Sequence, residues 1–453
     1  MRRDLTDIHP GRQRTALAAA ALVTVPAFAI RFGDLDAAAP VEALLFGLAI
    51  VGAAFAISWA AEVSQLDISA GLAIAILALI AVLPEYAVSF VFAWEGGNAV
   101  ERFGASCPPV DRSPCSLVLA NMTGANRLLI GLGWSLVVFL AWYRMRRRNP
   151  GVRPSTEIRL RREHSIELGF LAVATIYSLT LPLRSSISAV DAVVLVALFV
   201  GYTIRISRAP AEEPDLVGPA AYLGSFRTSS RRAAVVVMFV ASAAVIVLFA
   251  EPFAHSLVAT GAELRISEFL LVQWLAPLAS EAPELIVAGL FAWRLNTDAG
   301  LGTLVSSKVN QWTLLVGTLP IVFAVASSSM HGLPIETVQR QEVLLTAAQS
   351  FFAVAVLANL RLGLVEAAAL FGLFWAQFVI GAVIPERMHG TERIVVSVCY
   401  LALGAGILLR DRRRLPTLVR DAFVASYAEL SRERLQDSLE EAGSAPPPAP
   451  REP

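Results

Sequence analysis

The chain consists of long apolar segments that alternate with shorter polar loops. Hydrophobic residues make up 56% of the sequence and charged residues only 16%, whereas ordinary globular domains carry about 25% charged residues. A helix needs about 20 apolar residues to cross the hydrocarbon core, where lipid offers its backbone no hydrogen-bond partner. We therefore predict an all-α polytopic membrane protein with about twelve transmembrane helices. The predicted segments are residues 16–32, 41–61, 69–94, 115–143, 165–182, 188–206, 232–256, 267–293, 299–326, 342–360, 362–384 and 392–410.

Arginine is concentrated in loops that fall on one side of the predicted membrane. The stretch 144–162 carries eight arginines, and the positive-inside rule assigns such a loop to the cytoplasm. The N-terminus, the loop 207–231 and the stretch 410–414 fall on the same side. We therefore expect an integral protein of a bacterial-type plasma membrane with both termini in the cytoplasm. Residues 16–32 also resemble a secretory signal, and their retention or cleavage leaves the remaining topology unchanged.

A Pro-Glu pair occurs twice inside apolar segments, at Pro84-Glu85 and, 199 positions later, at Pro283-Glu284. The pairs lie in the third and eighth predicted segments, which are five spans apart and therefore cross the membrane in opposite directions. Glu85 lies about sixteen residues from the inner end of its span, and Glu284 about seventeen from the outer end of its own. The pattern predicts an inverted-topology repeat, which forms a binding site near the membrane midplane.

This repeat predicts how the chain is divided. Predicted segments two to six form one half and seven to eleven the other, so two sets of five helices are joined by an additional helix at each end. After residue 410 we expect an amphipathic helix over 415–441 at the inner membrane surface, and then a disordered Pro-rich end. The predicted units are 1–40 with the first helix, 41–206 as first repeat, 207–231 as cytoplasmic linker, 232–384 as second repeat, 385–410 as last helix and 411–453 as cytoplasmic tail.

Residues around the Pro-Glu pairs are typical of a site for a hard cation. Proline cannot donate to the carbonyl four residues earlier, so Pro84 and Pro283 are expected to free the carbonyls of Ile80 and Ala279. Carboxylate, amide, hydroxyl and carbonyl oxygens are the ligands that calcium and sodium prefer. An ionisable residue within a span is a functional-site hypothesis by default. The candidate cation ligands are Glu85, Glu284, Asn126, Asn310, Ser280 and Ser307, and the candidate metal ligands among them are Glu85 and Glu284.

The segments that follow the Pro-Glu segments also match each other. Asn126 and Asn310 each precede a glycine by seven positions, and they are 184 positions apart. These asparagines are predicted to line the site, with helix–helix hydrogen bonding as the alternative role. Three charged residues nearby are predicted to tune the charge of the site or to carry protons. They are Glu281, Lys308, which is the only lysine of the chain, and Arg127.

The motifs Leu83-Pro84-Glu85, Ala282-Pro283-Glu284 and Asn121-Met122-Thr123-Gly124-Ala125-Asn126 resemble the two alpha repeats of the calcium/cation antiporter superfamily, which includes the sodium/calcium exchangers. Those repeats carry Gly-Thr-Ser-x-Pro-Glu and then a Gly-Ser-Asn helix. The resemblance covers residues 69–143 and 267–326. It implies that the two Pro-Glu glutamates bind calcium.

The chain departs from the superfamily pattern just before each Pro-Glu pair. The Thr-Ser of the pattern is Ala81-Val82 in the first repeat and Ser280-Glu281 in the second. The first repeat therefore lacks the hydroxyl groups from which the superfamily builds sodium sites. Together with Lys308, this loss keeps open a monovalent cation exchanger on the same scaffold.

These observations predict a secondary active cation antiporter, coupled to sodium or protons, that works by alternating access. The alternatives are a sodium/proton or other monovalent exchanger, and a membrane protein without transport activity. The sequence indicates neither an enzyme nor a nucleic-acid partner, and it predicts no cofactor beyond the transported cation. Cys107 and Cys115 lie close together in one predicted outer loop, where they form either a disulfide or two free thiols.

Overall fold

The computed structural model describes residues 10–33, 35, 37–67, 83–103, 114–148, 155–209 and 216–431. The described chain is mostly helical, which confirms the predicted fold class. The helices are α1 (Pro10–Leu22), α2 (Val25–Phe32), α3 (Ala39–Ser64), α4 (Leu83–Phe103), α5 (Pro114–Leu128), α6 (Ser135–Arg148), α7 (Ser165–Ser178), α8 (Ala189–Ile206), α9 (Pro219–Gly224), α10 (Thr228–Leu264), α11 (Glu268–Trp293), α12 (Thr297–Asn310), α13 (Val316–Ala326), α14 (Thr337–Leu357), α15 (Leu364–Val383), α16 (His389–Arg410), α17 (Leu415–Phe423) and α18 (Tyr427–Leu430).

Ten helical stretches of the described residues are long and apolar enough to cross a membrane. The third predicted segment is not among them, because residues 69–82 lie outside the described residues and only α4 represents it. The tenth predicted segment is the helix α14, whose N-terminal part is too polar to meet the same measure of hydropathy. The polytopic architecture is therefore confirmed, whereas the number of twelve helices stays a prediction.

Two π-helical turns interrupt the segments that follow the Pro-Glu segments. One turn, Leu129–Trp134, joins α5 to α6, and the other, Gln311–Leu315, joins α12 to α13. Each begins within three residues of the repeated asparagine. Single π-helical turns widen a helix locally and often occur at functional sites. The two halves of the chain thus share a local backbone feature that the residue pattern alone did not reveal.

Four short strands form two antiparallel ribbons that connect the halves of the chain. Strand β1 (Glu157–Arg159) pairs with β4 (Arg361–Gly363), with Ile158 opposite Leu362. Strand β2 (Ser186–Ile187) pairs with β3 (Leu333–Pro334). The first ribbon lies on the arginine-rich side of the predicted topology, and the second lies on the opposite side.

Helices α5 and α11 approach each other closely at the centre of the protein. A Cβ atom on Gly124 would lie 1.8 Å from the carbonyl oxygen of Gln273. Glycine is therefore the residue that permits this backbone contact. In the π-helical turn that follows α5, a Cβ atom on Gly131 would lie 2.3 Å from the Phe374 ring. This packing brings the second Pro-Glu helix against the helix that carries Asn126.

The inner ends of α3 and α10 are joined by ion pairs. Arg231 Nε lies 2.7 Å from Asp67 Oδ2, and Arg232 Nε lies 3.1 Å from Asp67 Oδ1. The hydrogen bonds from the Arg231 guanidinium lower the pKa of Asp67 to about 2. The start of the second half of the chain is thereby fixed to the end of the first transmembrane helix of the predicted first half.

The C-terminal tail differs from the single amphipathic helix predicted over 415–441. Helix α17 ends at Phe423 and packs on α7, where a Cβ atom on Gly169 would lie 2.3 Å from Ala422 Cβ. The Arg162 guanidinium holds Asp421 through two oxygens, with a shortest distance of 2.9 Å. One face of this part of the tail therefore packs on α7 through Ala422 and Asp421, whereas Val419, Phe423 and Val424 stay exposed. Residues 432–441 lie outside the described residues.

Candidate cation site

The carboxyl groups of the first and second repeats meet at a side chain that the sequence analysis did not select. Gln311 Nε2 donates to Glu281 Oε1 at 2.7 Å and to Glu85 Oε2 at 3.4 Å. Gln311 is fully buried, and Glu85 and Glu281 are 2% and 4% exposed. One amide nitrogen thus connects α4 and α11. The sequence predicted that carboxyl groups of the two repeats would meet. It predicted that Glu284 would lie close to Glu85, whereas in the structure Glu281 does.

The position of Gln311 could have been found from the sequence, because the first repeat has an equivalent residue. The offset of 184 that relates Asn310 to Asn126 also relates Gln311 to Arg127. Both residues directly follow the repeated asparagine, and both lie on a buried face. Extending the repeat alignment by one residue would have selected Gln311. The two equivalent residues are of different types, arginine and glutamine, so their correspondence was not apparent.

Glu284 lies one turn beyond Glu281 and faces a different space. It is partly buried and lines a cavity of about 440 Å³ together with Ser307 and Asn310. Its Oε2 accepts no hydrogen bond among the described residues. The residues around this cavity come from the ends of α3, α8 and α11 and from the starts of α7 and α12, all on the arginine-rich side. We call it the inner cavity.

Lys308 is fully buried beside the carboxyl groups and contacts the first repeat. Its Nζ donates to the backbone carbonyl and to Oδ1 of Asn126, each at 2.6 Å. The Nζ also lies 5.3 Å from the centre of the Trp312 ring, a cation–π distance. Asn126 Nδ2 donates to the carbonyl of Met122 at 2.9 Å. Both ends of the Asn126 amide are therefore engaged, and its oxygen accepts from the Lys308 side chain.

The predicted hydroxyl ligand Ser280 is buried but bonded within its own helix. Ser280 Oγ donates to the Pro277 carbonyl at 3.3 Å. Thr123 in the first repeat likewise donates to the Leu119 carbonyl at 2.7 Å. The Ser280 hydroxyl thereby keeps its oxygen lone pairs for a cation, whereas Thr123 Oγ1 already accepts from Gln273 Nε2 at 3.3 Å. The second Pro-Glu proline does not break its helix, because α11 continues from Glu268 to Trp293.

Arg127 does not join the carboxyl groups of the site. Its Nη1 lies 3.0 Å from Glu342 Oε2, and its Nη2 donates to Gln377. Glu342 also accepts from Gln273 Nε2 at 3.0 Å and lies 2.6 Å from Arg393 Nε. This buried network connects α5 and α11 to α14, α15 and α16, and the sequence analysis did not predict it. The charge of Arg127 is balanced there, although its role in tuning the site stays a prediction.

The described residues contain no group of three His, Cys, Asp or Glu side chains arranged to hold a metal ion. Glu85 and Glu281 lie around Gln311, whereas Glu284 faces the inner cavity. Of these three carboxyl groups, that of Glu284 lines the inner cavity on the arginine-rich side, whereas Glu85 and Glu281 are buried away from it. Cys107 lies outside the described residues, so its pairing with Cys115 stays a prediction.

The chain is similar to a known protein family and to solved structures. The sequence matches the family described as sodium/calcium exchanger protein over residues 40–207 and 234–382. The structure is similar to the crystal structure of the H⁺/Ca²⁺ exchanger CAX, with 40% sequence identity, a TM-score of 0.80 and coverage of 91% of this chain and 99% of that chain. A structure of the Ca²⁺/H⁺ antiporter protein YfkE has 13% identity and a TM-score of 0.56, covers 86% of this chain and 100% of that chain, and shows likeness of fold alone. No curated protein matches the chain.

Proposed function

Because the chain belongs to the sodium/calcium exchanger family, we propose that it is a secondary active antiporter that exchanges Ca²⁺ for protons by alternating access. The observation that carries this proposal is the contact of Glu85 and Glu281 with one nitrogen of Gln311. Support also comes from the H⁺/Ca²⁺ exchanger to which the chain is 40% identical. We propose no enzymatic activity and no cofactor apart from the transported cation.

The paired carboxyl groups provide the coupling chemistry. Two buried carboxylates this close repel each other strongly, so a proton held by one of them relieves the repulsion. Calcium prefers ionised carboxylates and needs several oxygen ligands. A Ca²⁺ ion that binds between Glu85 and Glu281 therefore displaces the proton, and a returning proton displaces the ion. Proton and calcium compete for the same oxygens, which makes the exchange obligatory.

The remaining ligands of the proposed site lie along the inner cavity. Glu284, Asn310 and Ser307 line it, and Ser280 lies one residue before Glu281 on the same helix. In this conformation, an ion that enters the inner cavity would reach Glu284 first. Closure of the cavity would bring Glu284 toward the Glu281 carboxylate, one turn away, and complete the oxygen shell. We propose Glu85, Glu284, Asn310, Ser280 and Ser307 as the ligands, with Gln311 and Glu281 added. Asn126, whose two oxygens accept from Lys308 in this conformation, is proposed to join them only when the Lys308 side chain moves away.

Lys308 supports protons over sodium as the coupling ion. Its ammonium already occupies the oxygens of Asn126, where a small cation would otherwise bind. A fixed positive charge there offsets one of the three carboxylates and disfavours a second bound cation. Glu281 and Lys308 thus set the charge of the site. Ala81-Val82 replaces the Thr-Ser of the family pattern, and this loss of two hydroxyl groups also favours protons over sodium as the coupling ion.

We also propose that the architecture is an inverted repeat of five and five helices with one further helix at each end. The two ribbons support this arrangement. The repeat relates the loop of β1 to that of β3 and the loop of β2 to that of β4, so it exchanges one ribbon for the other across the membrane. The arginine-rich side is proposed to be cytoplasmic, with both termini there.

Flux in proteoliposomes tests the coupling. With Ca²⁺ outside the vesicles, we expect a proton gradient with an acidic interior to drive Ca²⁺ uptake, and a sodium gradient alone to drive none. The variants Glu85→Gln and Glu284→Gln should abolish uptake, because an amide can neither exchange a proton nor balance a divalent charge. Glu101→Gln is the matched control, since Glu101 is an exposed glutamate on the same helix as Glu85. Intact uptake in both site variants would refute the assignment.

A monovalent cation exchanger is the second candidate, and Lys308 is the observation that favours it. A site with one built-in positive charge suits a single added monovalent cation better than a purely acidic site does. The same vesicles distinguish the two functions, because this candidate predicts Na⁺ or K⁺ flux driven by the proton gradient without Ca²⁺. A protein without transport activity would give neither flux.

A further inference from the structure

The inner cavity carries more carboxylates than the proposed site uses. Besides Glu284, its wall includes Glu62 and Glu167. Glu62 lies in the last turn of α3, and Glu167 lies in the first turn of α7. Neither residue is part of a Pro-Glu segment or of the proposed ligand set. Two acidic side chains therefore stand between the arginine-rich face and the site.

The carboxylate of Glu167 is available to a ligand. The residue is 7% exposed, and its Oε2 accepts no hydrogen bond among the described residues. Its Oε1 lies 3.6 Å from His164 Nδ1. A buried carboxylate oxygen without a partner is costly unless a ligand or ordered water supplies one. Because Glu167 lines the cavity, its unpaired oxygen faces the space through which an ion would pass.

Glu62 is similarly short of partners. Both of its oxygens lack a side-chain partner in the part of the chain that the structure describes, although they face the backbone amide of Val217. It comes from a different helix than Glu167, so the two carboxylates approach the cavity from separate walls. A cation in the cavity is therefore attracted from two sides.

The positive groups that line the same cavity are already engaged. Arg161 Nε lies 2.6 Å from Asp298 Oδ2, and the Arg161 backbone amide donates to Asp298 Oδ1 at 2.8 Å. His164 Nε2 lies 3.3 Å from Asp298 Oδ1. Asp298 thus offsets the charge of Arg161 and holds the imidazole. The imidazole also lies 3.6 Å from Glu167 Oε1 and offsets part of the charge of that carboxylate when it is protonated. Glu62 and the unpaired Oε2 of Glu167 therefore supply the remaining negative field of the cavity.

We propose that Glu62 and Glu167 recruit hydrated divalent cations from the arginine-rich side and raise their concentration in front of Glu284. This inference rests on the proposed function. The ion keeps its water here, because Glu62 and Glu167 approach from separate walls and offer fewer oxygens than the six to eight that calcium takes. A cleft of one charge sign with low-dielectric walls raises local ion concentration and association rates by about 10- to 1,000-fold. Glu62 and Glu167 therefore act on the capture of the ion and not on its translocation.

The test is Ca²⁺ transport by oriented vesicles, with the ion supplied to the arginine-rich side. For the double variant Glu62→Gln/Glu167→Gln at low ionic strength we expect the half-saturating Ca²⁺ concentration to rise about 10-fold or more, within the range for such fields. The maximal rate should stay close to that of the wild type. At about 1 M salt, where the screening length falls to about 3 Å, wild type and variant should converge. The matched control is Glu42→Gln/Glu251→Gln, which removes two carboxylates from a cavity near the outer ends of α3 and α10.

Several outcomes would overturn the proposal. One is an unchanged half-saturating concentration, and another is a rise that salt does not reduce. A loss of maximal rate at unchanged half-saturation would instead make Glu62 and Glu167 part of the translocation step. If the double variant does not fold, the wild type alone decides, because a half-saturating concentration on this side that does not depend on salt contradicts recruitment. Failure of the proposed function is distinct from all of these, since the wild-type protein would then transport no Ca²⁺.

Discussion

Replacing Glu342 by glutamine should destabilise the protein without touching the proposed ligands. Glu342 is 3% exposed. Its carboxylate oxygens lie within 3.0 Å of side-chain nitrogens of Arg127, Gln273 and Arg393. The amide keeps the shape of the side chain, but it removes the charge and turns an NH₂ group toward a donor. The buried guanidinium group of Arg127 and the partly buried one of Arg393 then lose this counter-charge.

The cost follows from what those contacts are worth. Breaking a buried ion pair by removing one partner costs about 3–5 kcal/mol in soluble proteins, whereas single interhelical hydrogen bonds in membranes average about 0.6 kcal/mol. With three donors affected, we expect a loss of about 2–5 kcal/mol in the free energy of unfolding. This corresponds to at least about a 30-fold change in the folding equilibrium.

Unfolding of the purified protein by denaturing detergent, followed by circular dichroism, measures this change. Glu101→Gln on the exposed face of α4 is the control and should shift unfolding by less than about 0.5 kcal/mol. The double variant Glu342→Gln/Arg393→Gln should lose less than the sum of the two single variants, because the second change removes one of the uncompensated charges. Wild-type stability of Glu342→Gln, or strict additivity in the double variant, would refute the reasoning.

Three further predictions concern the site and the packing around it. Lys308→Gln should make Ca²⁺ uptake sensitive to Na⁺, because the oxygens of Asn126 become free for a cation; sodium titration of uptake measures this, and insensitivity to Na⁺ contradicts it. Gly124→Ala should force α5 away from α11 at a cost of about 1–3 kcal/mol and slow Ca²⁺ uptake, so a variant with normal stability and uptake would refute the close approach. The folded-state pKa of Asp67, about 2, lies below its ordinary value of 3.8, so its contribution to stability is complete above about pH 4 and is lost as pH falls toward 2. Unfolding measured across this range should show a smaller acid-induced loss for Asp67→Asn than for the wild type, and equal losses would contradict the ion pairs.

The membrane architecture could be predicted because each apolar segment carries its signal locally. About twenty apolar residues need no knowledge of their neighbours to indicate a span. The twin Pro-Glu pairs likewise indicated a family and a repeat, and the family assignment is confirmed. The tail was harder to predict, since the amphipathic pattern over 415–423 does not distinguish lipid from the surface of α7. The Arg162–Asp421 pair fixes one face of this helix to the protein.

The residues that bind the cation stay a prediction, and their arrangement could not be predicted from the sequence. Acids and amides near the Pro-Glu pairs were identified, yet the partner of each depends on helix rotation and tilt. Arg127 and Gln311 occupy equivalent positions in the two repeats, but one pairs with Glu342 and the other holds Glu85 and Glu281. Glu342 lies 215 positions from Arg127, and no local pattern connects them. Such long-range pairs follow from tertiary packing and not from spacing.

Proton release on calcium binding tests the central claim most directly. Purified protein in weakly buffered detergent solution is mixed with Ca²⁺, and a pH-sensitive dye reports the protons released. If Glu85 and Glu281 hold a proton that Ca²⁺ displaces, the wild type should release protons in proportion to the ion bound, and Glu85→Gln/Glu281→Gln should release none. Calcium binding to the wild-type protein without any proton release would contradict the claim that proton and ion compete for one site.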